Sequence, residues 1–166
     1  MKNLQITAYM QHFIQQQVMP GDICIDATMG NGNDTALLSQ LAGKRGRVLA
    51  FDIQKQALEH TEERLKRDNC PENYQLLLES HENMAAYAET ETVSCITFNL
   101  GYLPGGDHSV ATRADSSKRA VESGLALLKK GGLMTICIYS GGDTGYQERD
   151  EMLAFIRQLD PHKYLV

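Results

Sequence analysis

The chain has 166 residues, of which 42% are hydrophobic and 22% are charged, and its formal net charge is −5. This length is typical of one domain that buries a core without disulfides or metal ions, so we expect a single domain over residues 1–166 with an N-terminal helix over 1–19. A protein that binds nucleic acid mainly through phosphate contacts is usually basic overall. Any RNA would therefore have to bind a local patch of basic residues. Two clusters are candidates, although both are also typical of solvated surfaces: Lys44, Arg45 and Arg47, and Arg113, Lys118 and Arg119.

The sequence has no feature of a membrane or secreted protein. No apolar run approaches the length of a membrane span, and the start of the chain lacks a signal-peptide core. None of the four cysteines shows the spacing of a metal or redox motif, and three of them lie in predicted strands. The four cysteines are Cys24, Cys70, Cys95 and Cys137. We therefore expect a cytoplasmic protein without a metal site, in which the cysteines of the strands are small buried hydrophobic groups.

Apolar residues at helical spacing from Ile6 to Val18 predict a first helix, which Pro20-Gly21 ends. Strands and helices then alternate. Such alternation predicts an α/β fold with a doubly wound, mainly parallel sheet and helices on both faces. The chain stops where Lys163 to Val166 resemble the start of a further strand. The predicted strands are 22–26, 47–52, 74–78, 93–98 and 133–139, and the predicted helices are 34–42, 54–68, 82–88, 117–128 and a last one near 152–159.

The first strand leads into a glycine loop, Asp26-Ala27-Thr28-Met29-Gly30-Asn31-Gly32-Asn33-Asp34. The glycines let the backbone approach a ligand closely, and amides at the following helix start can hold a carboxylate. An acid at the strand tip would repel a pyrophosphate but suits the cationic amino-acid end of S-adenosylmethionine. The alternative is a plain strand–turn–helix unit with convenient glycines, but the acid on one side and Asn33-Asp34 as the helix cap on the other favour ligand binding. The predicted cofactor contacts in this loop are Asp26, Ala27, Thr28, Gly30, Asn31, Gly32 and Asn33.

Two further residues follow predicted strands at the same edge of the sheet. Asp52 ends the second strand, where an acid contacts ribose hydroxyls in nucleotide-binding α/β folds, although it could instead be the N-cap of the next helix. His81 follows the third strand, where an adenine contact is expected; a lone loop histidine is equally typical of a surface. We include Ile53 and Gln54, which follow Asp52, in the predicted cofactor site.

A second motif, Asn99-Leu100-Gly101-Tyr102-Leu103-Pro104-Gly105-Gly106-Asp107-His108, follows the fourth strand. The Asn99 side chain can hold an amine, and also lie against the cofactor, while Tyr102 stacks on a planar base. Accepting the amine N–H groups aims the nitrogen lone pair at the sulfonium methyl, so that methyl transfer needs mainly orientation. Asp107 or His108 could accept the departing proton, which methylation of an amine does not require. The alternative is an ordinary proline–glycine turn.

Together, the segments Asp26–Asp34 and Asn99–Asp107 resemble a bacterial class I methyltransferase family, the YtqB-like proteins labelled rRNA methylases. Members include MnmM-type enzymes, which methylate the 5-aminomethyl group of wobble 2-thiouridine in tRNA. Asn-Leu-Gly-Tyr-Leu-Pro-Gly-Gly-Asp is the most specific string, since the Asp-Ala-Thr-Met-Gly start is also similar to rRNA cytidine N4-methyltransferases. The resemblance implies S-adenosylmethionine as methyl donor and the anticodon region of tRNA as partner. A cytosine amine in rRNA, a small-molecule amine, or a non-catalytic module that binds S-adenosylmethionine are the alternatives.

Proteins of this family continue beyond the last helix with a hairpin that completes the sheet, and this C-terminal hairpin is absent before Val166. Without it, the fifth strand presents a bare edge, which favours pairing with another chain. We therefore expect a longer native polypeptide, or a homodimer formed through this edge.

Overall fold

The structure of the protein, a computed structural model, describes residues 5–101, 113–139 and 142–166. Helices and strands alternate along the chain, as predicted. The helices are α1 Ile6–Gln17, α2 Asn33–Ala42, α3 Lys55–Arg67, α4 Ala114–Leu127 and α5 Gly142–Ile156, with a 3₁₀ helix at His81–Ala86. The strands are β1 Ile23–Asp26, β2 Arg47–Asp52, β3 Tyr74–Leu78, β4 Val93–Leu100 and β5 Leu128–Ile138.

The strands form one sheet in the order β3-β2-β1-β4-β5, and every described pair is parallel. Helices α1, α2 and α3 pack on one face, and α4, α5 and the 3₁₀ helix cover the other. The predicted doubly wound α/β fold is therefore confirmed. The strand order reverses between β1 and β4, and ligands of such sheets bind outside the carboxyl ends of the strands at that point.

The central strands are buried on both faces, which explains their almost continuous apolar runs. One face of the sheet contributes Ile25, Phe51 and Phe98 to the larger core cluster. The opposite face contributes Cys24 and Cys95 to the cluster under α1 and α2. Burial raises the pKa of the Cys24 thiol to about 12, so this thiol stays protonated. The predicted burial of the strand cysteines is confirmed for Cys24, Cys95 and Cys137, all of which are free.

Several predicted boundaries differ from the structure. Strand β4 continues to Leu100, so Asn99 lies inside the strand and is hydrogen-bonded there. Helix α4 begins at Ala114 rather than at 117. Strand β5 begins directly after α4, and the predicted Gly131-Gly132 turn is a bulge inside it, where the register with β4 shifts between Val93 and Cys95.

The strand predicted from Lys163 to Val166 is wrong. The amides of Lys163 and Tyr164 donate to the carbonyl of Asp160, at 3.0 and 2.9 Å, so the chain turns there instead of extending. Helix α5 likewise ends at Ile156, before the predicted Leu159. Within the described ranges, no helix combines the length and the apolar character that a membrane span requires.

Helix α3 packs directly against the glycine loop, and this contact explains Gly32. The residue has φ +78°, and an added Cβ would lie 2.8 Å from Thr61 Oγ1 and 2.9 Å from Thr61 Cα. Because the second of these atoms belongs to the backbone, it cannot move aside cheaply. Gly32 is thus required by the packing of α3 and by its left-handed backbone, whatever the loop binds.

We predict that Gly32→Ala lowers the free energy of unfolding by about 2–5 kcal/mol, because a left-handed backbone and an overpacked contact add their costs. Gly131→Ala is the matched control, since Gly131 has φ +76° but nothing within 4 Å of its added Cβ. It should cost only about 1–2 kcal/mol. Urea denaturation of both variants measures the difference, and equal losses would contradict the role of Thr61.

Candidate functional site

The glycine loop is held in place by strand β2 and by helix α3. The Met29 amide donates to the Phe51 carbonyl at 2.9 Å, and the Gly30 amide donates to Asp52 Oδ2 at 3.0 Å. From α3, Thr61 Oγ1 donates to the Gly30 carbonyl at 3.2 Å and Arg64 Nε donates to the Asn31 carbonyl at 2.8 Å. The loop is therefore preformed. These two α3 residues are not predicted from the sequence, where their spacing of three, about one helical turn, is the only signal.

Asp52 uses both carboxylate oxygens to organise this edge of the sheet. Besides the Gly30 amide, it accepts from the Gln54 amide at 2.9 Å through Oδ1. Helix α3 begins at Lys55 with Gln54 as its N-cap, so the alternative interpretation of Asp52 as the N-cap is wrong. Ile53 lies between them with 60% of its surface exposed. The ribose contact of Asp52 and the cofactor contacts of Ile53 and Gln54 stay predictions.

Helix α2 begins without a side-chain cap. Its N-cap is Gly32, in the left-handed conformation, so the predicted cap by Asn33-Asp34 is wrong. The amides of the first helical turn have no acceptor within the helix, and together with the helix dipole they can hold an anion. Asn33 is exposed, and Asp34 points back toward the sheet, where it accepts two hydrogen bonds.

Asp26 at the end of β1 is fully buried. Its Oδ2 accepts from Thr35 Oγ1 at 2.6 Å and its Oδ1 accepts from the Thr28 amide at 3.2 Å. Burial, and then the nearby Asp34 carboxylate, raise the pKa of Asp26 to about 7. Both carboxylate oxygens of Asp26 therefore already have partners in the protein. Its contact with a cofactor ammonium stays a prediction.

Three carboxylates therefore lie at one edge of the sheet: Asp26, Asp34 and Asp52. Among the described residues, none of them takes part in an ion pair. Uncompensated negative charge in a partly buried place is costly unless a cation binds there. The electrostatics of this edge consequently favour a positively charged ligand.

Asn99 approaches the glycine loop from β4. Its amide N–H donates to Thr28 Oγ1 at 2.6 Å, and its side-chain Nδ2 donates to Asp34 Oδ2 at 2.8 Å. Gln11 on α1 donates to the other oxygen of Asp34 at 3.3 Å. Neither Gln11 nor the contact between Asp34 and Asn99 is predicted from the sequence, because no local pattern relates residues of α1, α2 and β4.

His81 is buried rather than on the surface, with 8% of its area exposed, so the surface alternative is wrong. Its Nδ1 lies 3.0 Å from the Ala27 carbonyl, which can only accept, so Nδ1 carries the proton. Burial lowers the pKa of His81, which keeps the ring neutral and leaves Nε2 as an acceptor. Its contact with an adenine stays a prediction.

The remaining predicted residues are those of the loop after Asn99 and those of the two basic clusters. Tyr102, Asp107 and His108 lie outside the described residues. The basic cluster Lys44, Arg45 and Arg47 runs from the turn before β2 to the first residue of β2. It lies at the amino ends of the strands, opposite the glycine loop, so it cannot meet a ligand there. In the other cluster, Lys118 pairs with Glu151 at 2.9 Å and Arg119 pairs with Glu82, whereas Arg113 is exposed at the start of α4.

Residues 48–166 match the protein family described as "Putative rRNA methylase", which covers more than half of the chain. The chain belongs to this family. It is also 37% identical over 157 residues to the Arabidopsis thaliana protein named "tRNA (mnm(5)s(2)U34)-methyltransferase, chloroplastic". That similarity covers 87% of this chain and 56% of the plant protein, so the chain spans little more than half of that relative. The family resemblance inferred from the sequence is confirmed.

Solved structures show the same fold. A "putative rRNA-methylase" from Clostridium thermocellum is 40% identical, with a TM-score of 0.93 over 98% of this chain and 87% of that chain. A "putative methyltransferase" from Streptococcus mutans, solved in complex with SAH, is 39% identical, with a TM-score of 0.85 over 96% of this chain and 85% of that chain. The fold is that of class I, Rossmann-like methyltransferases, as the sequence predicted.

We predict a pH dependence of stability that comes from Asp26. Its pKa of about 7 in the folded state exceeds the ordinary value of 3.8, so its contribution to stability is complete below pH 3.8 and is lost as the pH rises through 7. The free energy of unfolding of the wild type, relative to Asp26→Asn, should fall by a few kcal/mol, on the order of the pKa shift, between those pH values. Urea denaturation across this pH range measures it. A constant difference would mean that the pKa of Asp26 does not change on folding.

Proposed function

We propose that the protein is a cytoplasmic N-methyltransferase that transfers the methyl group of S-adenosylmethionine to RNA. Its proposed acceptor is the aminomethyl group of wobble 5-aminomethyl-2-thiouridine in the anticodon region of tRNA. The observation that carries the proposal is the position of Asn99, which is hydrogen-bonded to the glycine loop beside three carboxylates that form no ion pair with any described residue. A cationic methyl donor and an amine acceptor can meet there.

The donor site follows from charge and from the helix start. S-adenosylmethionine carries a sulfonium and an ammonium group, which the three carboxylates attract. Its carboxylate can bind the free amides of the first turn of α2. Asp52 lies at the end of β2, where it can accept from ribose hydroxyls. Exposed Ile53 and the neutral His81 supply an apolar surface and an acceptor for the adenine.

The acceptor site requires a group that accepts an amine N–H without taking the nitrogen lone pair. The carbonyl oxygen of Asn99 and a neighbouring backbone carbonyl provide such acceptors, and Tyr102 stacks on the base. The nitrogen lone pair attacks the methyl carbon, the carbon–sulfur bond breaks, and S-adenosylhomocysteine leaves. The amine gives up its proton, for which Asp107 is the proposed acceptor. Catalysis then consists mainly of holding both reactants in line.

The name of the plant relative supports tRNA as substrate, and the family description supports RNA in general. RNA bases that must be modified are usually presented in single-stranded loops, where they can stack on aromatic rings. Exposed Arg113 lies at the start of α4, and it can contact a phosphate of such a loop. The other basic cluster lies on the far edge of the sheet.

We predict that the protein binds S-adenosylmethionine in isothermal titration and transfers its methyl group to bulk tRNA that carries 5-aminomethyl-2-thiouridine. Mass spectrometry of the nucleosides should show the methylated wobble base. The matched variant Asn99→Ala should lose at least about a hundred-fold in rate, because the amine is no longer oriented, while cofactor affinity changes by less than about three-fold.

The other outcomes of this experiment are decisive as well. Methyl transfer to rRNA or to a small amine, but not to tRNA, would replace the proposed acceptor. Cofactor binding without transfer to any of these would indicate a non-catalytic module. Full activity of Asn99→Ala would remove the role assigned to that side chain.

We also propose that the protein forms a homodimer through β5. Within the described residues, β5 pairs with β4 alone, and an unpaired strand edge is a template for another chain. We predict a dimer in sedimentation velocity at micromolar concentration. A monomer across the whole concentration series would exclude this pairing.

A further inference from the structure

We propose that Asp34 is a positioning residue that determines which end of the Asn99 side-chain amide is offered to the substrate. The inference rests on the proposed function, since it concerns how the site accepts an amine. It requires no contact between Asp34 and either the cofactor or the substrate. The carboxylate acts through Asn99, whose Nδ2 donates a hydrogen bond to Asp34 Oδ2 at 2.8 Å.

The chemistry of the two groups decides the orientation. An ionised carboxylate only accepts hydrogen bonds, whereas a side-chain amide donates through its nitrogen and accepts through its oxygen. Only Nδ2 of Asn99 can therefore face Asp34 Oδ2. The flipped amide would place two acceptor oxygens 2.8 Å apart, which is repulsive. The end of the amide that faces α2 is thus set by its partner, and Oδ1 remains for another donor.

Both partners are held firmly enough for this orientation to persist. The backbone of Asn99 lies within β4, paired with Cys137 of β5, and its amide donates to Thr28 Oγ1. Asp34 lies in the first turn of α2. Its second oxygen accepts from Gln11 of α1 at 3.3 Å. Helices on one face of the sheet therefore restrain an amide that reaches across the switch point.

The orientation has a direct consequence for methyl transfer. An amine must keep its lone pair free to attack the methyl group, so the site must accept its N–H groups. Asn99 with Oδ1 toward the substrate does this. Asn99 with Nδ2 toward the substrate would donate to the lone pair and block the reaction. Asp34 consequently selects for a substrate that donates hydrogen bonds at this position.

Two substitutions separate orientation from charge. Asp34→Ala removes the acceptor, so the Asn99 amide is free to turn, and single-turnover methyl transfer should fall on the order of a hundred-fold. Asp34→Asn keeps an acceptor oxygen for Asn99 Nδ2, and Gln11 can turn its own amide to match. This variant should recover the rate to within about ten-fold of the wild type, the remainder reflecting a neutral instead of a charge-assisted hydrogen bond.

Two control variants complete the set. Gln11→Ala removes the other hydrogen bond of Asp34 and leaves the one to Asn99, so it should lose far less than Asp34→Ala. Glu122→Gln removes one negative charge from an exposed position of α4 and should behave as the wild type. In isothermal titration with S-adenosylmethionine, Gln11→Ala and Glu122→Gln should bind within about three-fold of the wild type. Asp34→Ala and Asp34→Asn lose the same charge, so they should share one affinity although their rates differ.

The results that overturn the inference are specific. If Asp34→Asn is as slow as Asp34→Ala, the charge itself is needed and Asp34 is a proton acceptor instead. If both variants weaken cofactor binding in proportion to the lost rate, Asp34 is a cofactor ligand. Either result would show that Asp34 does not act by orienting the Asn99 amide.

A spectroscopic arm does not depend on methyl transfer. In protein labelled with ¹⁵N-asparagine, the side-chain NH₂ signals of Asn99, assigned with Asn99→Ala, should shift and exchange faster with solvent in Asp34→Ala but not in Gln11→Ala. If the wild type methylates no RNA, the proposed function fails, while these signals still report the orientation. If the signals ignore Asp34→Ala, the positioning role fails even where methyl transfer is observed.

Discussion

The parallel pairing of β1 with β4 is the constraint on which the site depends. It brings the end of β1 and its glycine loop beside the end of β4, although Asp34 and Asn99 are 65 residues apart. Both contacts of Asn99 with the loop, through Thr28 and through Asp34, exist only because the strand order reverses at this point. The helices on the α1 face then hold these contacts in one geometry.

The burial of Asp26 carries an electrostatic cost. A fully buried Asp26 beside a second carboxylate is unfavourable in the folded protein, which its raised pKa records. Hydrogen bonds from Thr28 and Thr35 offset part of that cost. A cationic ligand would offset more, so the same feature that weakens the isolated protein favours binding of a sulfonium cofactor. The charge that lowers stability at this edge is the charge on which the proposed cofactor binding depends.

Much of the fold could be predicted from sequence, because strand and helix periodicities are local properties. The element boundaries that were predicted wrongly depend on contacts with other segments of the chain. Strand β4 runs on through Asn99 because β5 continues to pair with it, and the chain after Asp160 turns although its last residues favour a strand. Gly32 shows the same limit. A glycine was expected for ligand approach, and the structure also requires it for the packing of Thr61.

The sequence by itself determined the fold class, the family, the glycine loop and the choice of Asp52 and Asn99 as candidate residues, because each is carried by a contiguous pattern. Only the tertiary structure decided that His81 is buried, that Asp52 holds two amides and that Asp34 accepts hydrogen bonds from both Asn99 and Gln11. These facts depend on side chains from distant segments that meet across the sheet. The orientation of one amide, on which the proposed chemistry depends, is therefore a property of the packed molecule and of no single motif.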